Sequence, residues 1–287
     1  MTKFHPVINE PKVSVICLCF NQADYIEESI QSVLDQNYAN IQLIIVDDAS
    51  TDHSQSIIKQ LSNNLRIEHE IILLSNNRGN CSAFNLGLER ATGKYIIDLA
   101  ADDLLLPDRI KKGVELLENQ PESVGVNYCE VESINEKGQS ITRPSVKKPS
   151  KITDDIYLQL IRHYWINPAS MLVRKSVLDK LGGYDEKLTY EDFDFWIRSS
   201  RVYHYSYIKE ILVKKRIVSK SLGSQQSTYR NKHEYSTYMV CKKIKQLNRS
   251  EEENKALKSR ITYEIIRCLK LGHLGLAVKY THLYTTI

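Results

Sequence analysis

Apolar residues come in short blocks along this chain, and the blocks alternate between two spacings. Val13 to Cys19 is rich in β-branched and apolar side chains, which predicts a buried strand. Residues 24–36 then put Ile26, Ile30, Val33 and Leu34 on one helical face. Leu43 to Val46 repeats the strand signature, and a second helix follows from about Asp52 to Leu61. The alternation continues with a strand at 70–74, a helix at 82–91, a strand at 94–99 and a helix after Pro107, a residue that suits a first helical turn. Strands and helices alternating at this spacing predict a mostly parallel sheet covered on both faces. Ligands of such sheets sit beyond the carboxyl ends of the strands.

The second half is less regular. A strand is predicted at 124–132 and another at Ala169 to Val173, separated by a polar, Pro- and Lys-containing loop at 135–150. Leu181 to Asp185 reads as a turn, and Tyr190 to Ser200 resumes helical spacing. From about Gln225 the pattern turns helical and rich in Tyr and Lys, with helices near 230–247 and 251–271. This predicts a helical appendage on an α/β domain, with boundaries at 1–222 and 223–287.

Composition changes this picture in two places. Residues 1–213 carry 23 Lys/Arg against 30 Asp/Glu, a net of −7, whereas residues 214–287 carry 16 against 5, a net of +11. The last segment is therefore a distinct charged surface. Its bland reading is a solvated helical face; the sharper one is contact with an anionic membrane, since Lys and Arg beside Tyr and Leu suit an interfacial helix. On that reading, deleting 225–287 removes vesicle binding. Apolar runs are too short to span a bilayer, and no motif joins the charge to nucleic-acid binding. Six scattered cysteines without zinc spacing, and no leader-like opening, suit a reducing cytoplasm; Cys17 and Cys19 would share one face of a strand as buried thiols.

Candidate chemistry lies at the strand ends. "IIVDDASTD" closes one strand with Asp47-Asp48, and "YIIDLAADDLLLP" closes another with Asp102-Asp103. Taken alone, an Asp-Asp is more often a cap or a solvated turn. Two pairs on neighbouring strand ends point instead to a divalent ion, because carboxylate oxygens suit Mg²⁺ and Mn²⁺ and these ions keep open positions for phosphates. Glu191-Asp192, in "TYEDFDFWIR", reads on its own as the acidic first turn of a helix, favoured by the helix dipole. Arg78 and Gly79 form either a loop facing a phosphate or a surface turn. Asn85 and Gly87 read as capping and packing residues. Trp165 and Trp196 offer faces for a sugar, though such aromatics are more often core.

Five blocks occur in order: "VSVICLCFNQADYIEESIQSVLDQNY", "IIVDDASTD", "NNRGNCSAFNLGLERATGKYI", "LAADDLLLPDRI" and "GGYDEKLTYEDFDFWIR". Together they resemble the inverting family-2 glycosyltransferases, over roughly residues 12–220. The resemblance implies a GT-A type, Rossmann-like, mostly parallel sheet, with a donor-binding half at about 12–133 and an acceptor half at about 134–222. It implies a UDP-sugar donor, an Mn²⁺ or Mg²⁺ cofactor, and a glycan or polyprenyl-linked acceptor at the inner face of the membrane, for envelope polysaccharide. By the same resemblance Asp48 holds the base, which the backbone from Leu18 through Phe20 to Asn21 cradles. Asp102 and Asp103 look like the ribose- and metal-binding acids, Asp192 resembles the general base beside Glu191, and Arg216 resembles a residue of a lid over the donor. The chain departs from the family at Leu18, at Ala100, where many members carry Asp, and at Val218, where His is expected.

Two other classes compete. A dinucleotide-dependent oxidoreductase requires a glycine-rich turn after the first strand, and "CLCFNQAD" has no glycine. A non-catalytic sugar-nucleotide or glycan-binding protein is favoured by Ala100 and Val218 and opposed by the retained Asp103 and Asp192.

Overall fold

A computed structural model describes residues 10–142, 156–163, 165–218 and 233–287. The chain runs β1 (Val13–Cys19), α1 (Ile26–Leu34), β2 (Ile41–Asp47), α2 (Ser54–Ser62), β3 (Glu68–Leu73), α3 (Asn80–Arg90), β4 (Tyr95–Ala100), β5 (Leu104–Leu105), α4 (Arg109–Glu118) and β6 (Val124–Ile134). It continues through α5 (Tyr157–Arg162), a 3₁₀ turn (Pro168–Ser170), β7 (Leu172–Arg174), α6 (Lys175–Leu181), α7 (Asp192–Ser200) and β8 (His204–Arg216). Three helices close the chain: α8 (His233–Leu247), α9 (Glu251–Lys270) and α10 (Leu274–Thr285).

The eight strands form one sheet in the order β3-β2-β1-β4-β7-β6-β8-β5. β1 pairs in parallel with β2 and β4, and β2 with β3. β7 is antiparallel to β4 and β6, so the second half is mixed. β1 and β2 are buried at all seven positions each, as central strands covered on both faces must be. Strand alternation divides the core in two. Val15, Cys17, Leu43 and Ile45 face α1, α2 and α4 through Ile26, Ile58 and Ile110. Ile16, Leu18, Ile44 and Val46 face α3 and α7 through Phe84, Phe193 and Trp196. Cys17 and Cys19 share the first face, and all six cysteines are buried free thiols.

The predicted strand at 169–173 begins later than its sequence suggests. Asn167 accepts the Ala169 amide at 3.2 Å and Pro168 fixes a helical φ, so the segment winds into a 3₁₀ turn before β7. The helix expected from 82 starts at Asn80, after Gly79 at φ +86°. β8 breaks simple alternation through register shifts opposite Glu130, and its charged doublets hide it from a period-two reading. Part of the predicted 135–150 loop lies outside the described residues. Among the described residues, no helix is long and apolar enough to cross a membrane.

The C-terminal helices are built into the main core. Val240, Cys241 and Ile244 of α8, Leu257 and Ile261 of α9 and Tyr280 of α10 join the cluster that holds Phe193 and Trp196. Polar contacts add to this: Lys243 lies 2.6 Å from both Asp185 and Asp194, and Ser236 accepts the Thr189 amide at 2.9 Å.

Candidate active site

The carboxyl ends of β1, β2 and β4 lie side by side because these strands are parallel neighbours. After β2, the Asp48 amide donates to the Cys19 carbonyl at 2.8 Å, tying the two strand ends together. The Asp48 side chain is buried, and it accepts the amides of Arg78 at 2.7 Å and Gly79 at 2.8 Å. One carboxylate thus shapes the whole 77–80 loop while retaining lone pairs for a further donor. Arg78 enters this arrangement through its backbone, and its side chain is exposed. Asn21, at φ +54°, accepts the Thr51 amide at 2.7 Å and folds the β1 end against the segment after Asp48. Phe20 stands 45% exposed on that rim, an unusual exposure for a phenylalanine and open for ring stacking.

Beyond β4, the Asp103 carboxylate is buried and accepts the Arg216 amide at 2.9 Å through Oδ1. Arg216 ends β8 and is itself buried. Its guanidinium donates to the carbonyls of Asp102, Asn135 and Glu136, pairs with Glu28 at 2.5 Å, and lies over the Tyr25 ring. The residue expected in a lid is therefore a clamp in this structure, holding the acidic turn against α1. Burial raises the carboxyl pKa of Asp102. It brings Asp103 to about 7, with Asp102 adding repulsion and Lys215 and Arg216 opposing it.

Glu191 stands at the N-cap position of α7 without a side-chain capping hydrogen bond, and Asp192 is the first residue of that helix. Glu191 accepts a hydrogen bond from Asn80 at 2.7 Å, joining α7 to the same loop that Asp48 shapes. Asp192 accepts the Phe193 amide at 2.7 Å. Burial, then the neighbouring Asp192, lifts Glu191 to about 7, and burial raises Asp192 as well. Asp98, on the α3-facing side of β4, accepts the Tyr184 hydroxyl at 3.2 Å. Burial pushes it well above the usual carboxylate range, and the fields of Glu191 and Asp103 both reach it.

One cation connects these groups. The Lys215 ammonium lowers the pKa of Asp102 and Asp103 on one side and of Glu191 and Asp192 on the other. Hydrogen bonds thus tie Asp48 to Glu191 through the 78–80 loop, and the field of Lys215 links Asp102 and Asp103 to Glu191 and Asp192. Trp165 stands apart, buried in the core with its indole N–H 3.4 Å from the Tyr128 hydroxyl, and Trp196 is likewise core. These rings fill space between elements and have no free face for a sugar. Asn85 accepts the Tyr184 amide at 2.9 Å, and a Cβ on Gly87 would sit 2.5 Å from Ile16 Cγ2, so both do pack α3 in place. Two surface depressions of about 410 and 420 Å³ lie elsewhere and contain none of these acids.

Sequence reasoning passed over Asp98, Asn80 and Lys215. A carboxylate inside the buried strand "YIIDLA" was a detectable signal, since such a charge needs compensation. Lys215 had no signal, because its strand was not recognised.

The family model for glycosyl transferase family 2 matches residues 14–182, well over half the chain. The chain belongs to this family. It is 33% identical over 214 residues to an uncharacterised glycosyltransferase of Rickettsia prowazekii, covering 73% of this chain and 65% of that one. With an uncharacterised glycosyltransferase of Haemophilus influenzae it shares 32% identity over 250 residues, 84% of this chain and 74% of the relative. The chain spans 65% and 64% of two rickettsial relatives and 36% of a third. Among solved structures, S. aureus TarS 1–349 in complex with UDP-GlcNAc superposes with a TM-score of 0.70 at 18% identity, over 90% of this chain and 73% of TarS 1–349. The mannosyltransferase PcManGT of Pyrobaculum calidifontis, in complex with GDP-Man and Mn²⁺, gives 0.62 at 18% identity, over 97% and 84%. These likenesses establish the GT-A fold for the family-2 chain.

Proposed function

We propose that this family-2 chain is an inverting glycosyltransferase that moves a sugar from a UDP-sugar to an acceptor hydroxyl, in cell-envelope polysaccharide or other glycan synthesis. The observation that carries the reading is that two desolvated carboxylate pairs, Asp102-Asp103 and Glu191-Asp192, share the field of one lysine, Lys215. Donor chemistry and base chemistry need two such groups, because inversion requires attack from the side opposite the leaving group.

In this proposal Asp48 accepts a ring N–H of the base, Phe20 stacks on it, and Asn21 fixes the turn beneath. The loop amides of Arg78 and Gly79 hold Asp48 in place, so base recognition and loop shape depend on one side chain. Asp192 takes the proton of the acceptor hydroxyl as its oxygen bonds to the anomeric carbon, and the bond from that carbon to the diphosphate oxygen breaks. Glu191 ties the entrance of α7 to the 78–80 loop through its hydrogen bond from Asn80. A base so placed is worth on the order of 10² to 10⁴ in rate.

The acidic turn suits a divalent ion. Asp102 and Asp103 are adjacent, all-oxygen and desolvated, and Asp103 Oδ2 is left over once Oδ1 has taken the Arg216 amide. Among the described residues no group of three or more His, Cys, Asp or Glu side chains could by itself hold a metal ion, so an ion here would take its remaining ligands from phosphate and water. When bound, the ion would stabilise charge on the departing diphosphate.

The proposed donor half is 12–133, the acceptor half 134–222, and the basic region 223–287 is proposed to touch anionic membrane. UDP is proposed over GDP on the resemblance at Asp48 and the UDP-GlcNAc complex of TarS, whereas PcManGT holds GDP-Man. A non-catalytic binder remains the second reading, since Ala100 contributes no ligand beside Asp102. Release of nucleotide from a panel of UDP- and GDP-sugars with Mn²⁺, for wild type and Asp192→Asn, tests the choice. Transfer from a UDP-sugar that falls at least 100-fold in the variant, with UDP binding retained, is expected. UDP affinity without turnover in the wild type selects the binder.

A further inference from the structure

Lys215 stands out in the pocket because it is charged and uncommitted. Among the described residues its ammonium makes no hydrogen bond and no ion pair, while its chain neighbours are fully engaged. Lys214 lies 3.8 Å from Glu132, and Arg216 is bound to Glu28 and three carbonyls. Its backbone position is fixed from both sides. Ser133 of β6 is its register partner, and the next amide in the chain is bonded to Asp103 Oδ1 at 2.9 Å.

Strand geometry sets its direction. Successive side chains point to opposite faces of a sheet. Arg216 points toward Glu28 and Tyr25 at the start of α1. Lys215 is therefore directed away from Arg216, and its field reaches both carboxylate pairs, including Glu191 and Asp192 at the start of α7. A half-buried ammonium within the field of four carboxylates that binds none of them leaves its charge open to an incoming anion.

We propose that Lys215 is a built-in counter-charge of this pocket: it offsets the acids while the pocket is empty and binds the diphosphate of a nucleoside-diphosphate donor when one enters. The inference rests on the glycosyltransferase reading and adds to it a cation that belongs to the chain. Two consequences have opposite signs. Removing the ammonium weakens diphosphate binding most when no metal shares the charge. The same change removes a repulsion against any divalent ion at Asp102-Asp103, so metal binding to the nucleotide-free protein tightens or stays level.

The test is calorimetric titration of the full chain with UDP, with and without Mn²⁺, and with Mn²⁺ alone, for wild type, Lys215→Met and Lys215→Arg. Lys215→Met should bind UDP at least tenfold more weakly without metal and less than tenfold more weakly with saturating Mn²⁺. Its Mn²⁺ affinity should be equal or higher, and Lys215→Arg should recover UDP binding to within about threefold. Methionine keeps the apolar stem, and an unchanged melting temperature confirms that the fold is intact. Unchanged UDP affinity in Lys215→Met overturns this inference and leaves the glycosyltransferase reading standing. Equal losses of UDP and Mn²⁺ affinity with a lower melting temperature overturn it in favour of a structural lysine. A wild-type chain that binds neither UDP nor GDP, with or without Mn²⁺, overturns both.

Discussion

Asp103 and Glu191 both hold protons to about pH 7, because burial penalises the charged carboxyl and an acidic neighbour adds to the penalty. Their folded-state pKa values lie above the unfolded ones. Stability from each is therefore fully present below the ordinary carboxylate range, near pH 4, and is lost as pH rises toward 7. Activity runs the other way, since a base works only when deprotonated. Burial raises Asp192 as well, so we expect the acid limb of kcat/KM to lie above the ordinary carboxylate range, whereas an isolated carboxylate would hold the rate to about pH 4.5. A pH–rate profile measured at saturating Mn²⁺ decides this; a flat profile to pH 5 in the wild type would count against the base assignment.

Elements are held at this site by a few backbone positions. The turn after α6 has two glycines in the left-handed region, Gly182 at φ +72° and Gly183 at φ +70°. A Cβ on Gly182 would meet nothing within 4 Å, but one on Gly183 would sit 2.4 Å from Asn85 Oδ1, the atom that accepts the Tyr184 amide. Gly182→Ala should cost about 1 kcal/mol, the backbone term alone. Gly183→Ala should cost roughly 3 kcal/mol, since α3 must also shift. Urea midpoints of the two variants check the difference; equal costs would show that the α3 contact carries no weight. The same scale explains which elements were legible. β1, β2 and α1 have strong periodic patterns because both sheet faces or one helix face are apolar throughout. β8 was not legible, since its pairing depends on register shifts against β6 rather than on its own alternation.

At the scale of the whole molecule, the basic C-terminal helices share the main core. α8, α9 and α10 contribute Val240, Leu257, Ile261 and Tyr280 to the core that holds Phe193 and Trp196, so deleting 225–287 would uncover the start of α7. Loss of vesicle binding after that deletion would then report unfolding. Charge substitution in the full chain is the sounder experiment. Lys255, Lys270 and Lys279 are exposed, and Tyr263, Ile266, Leu269, Leu274 and Val278 are exposed apolar residues on α9 and α10. Each lysine near an anionic surface is worth about 1 kcal/mol, so replacing all three with glutamate should weaken binding to phosphatidylglycerol vesicles by at least about 100-fold at low salt. Binding equal to wild type in a vesicle co-sedimentation assay would remove membrane contact from the proposed role.

The sequence by itself determined the α/β alternation, the two-faced core of the first half and the acidic strand ends. Those properties are local: hydrophobic period and strand-end chemistry are set by neighbouring residues. Only the tertiary structure decided that Arg216 is a clamp, that Trp165 is core, that Asp98 joins the site and that Lys215 faces both acidic pairs. Each of these depends on contacts between segments tens to more than a hundred residues apart, and a strand's facing direction there turns on a single residue of register.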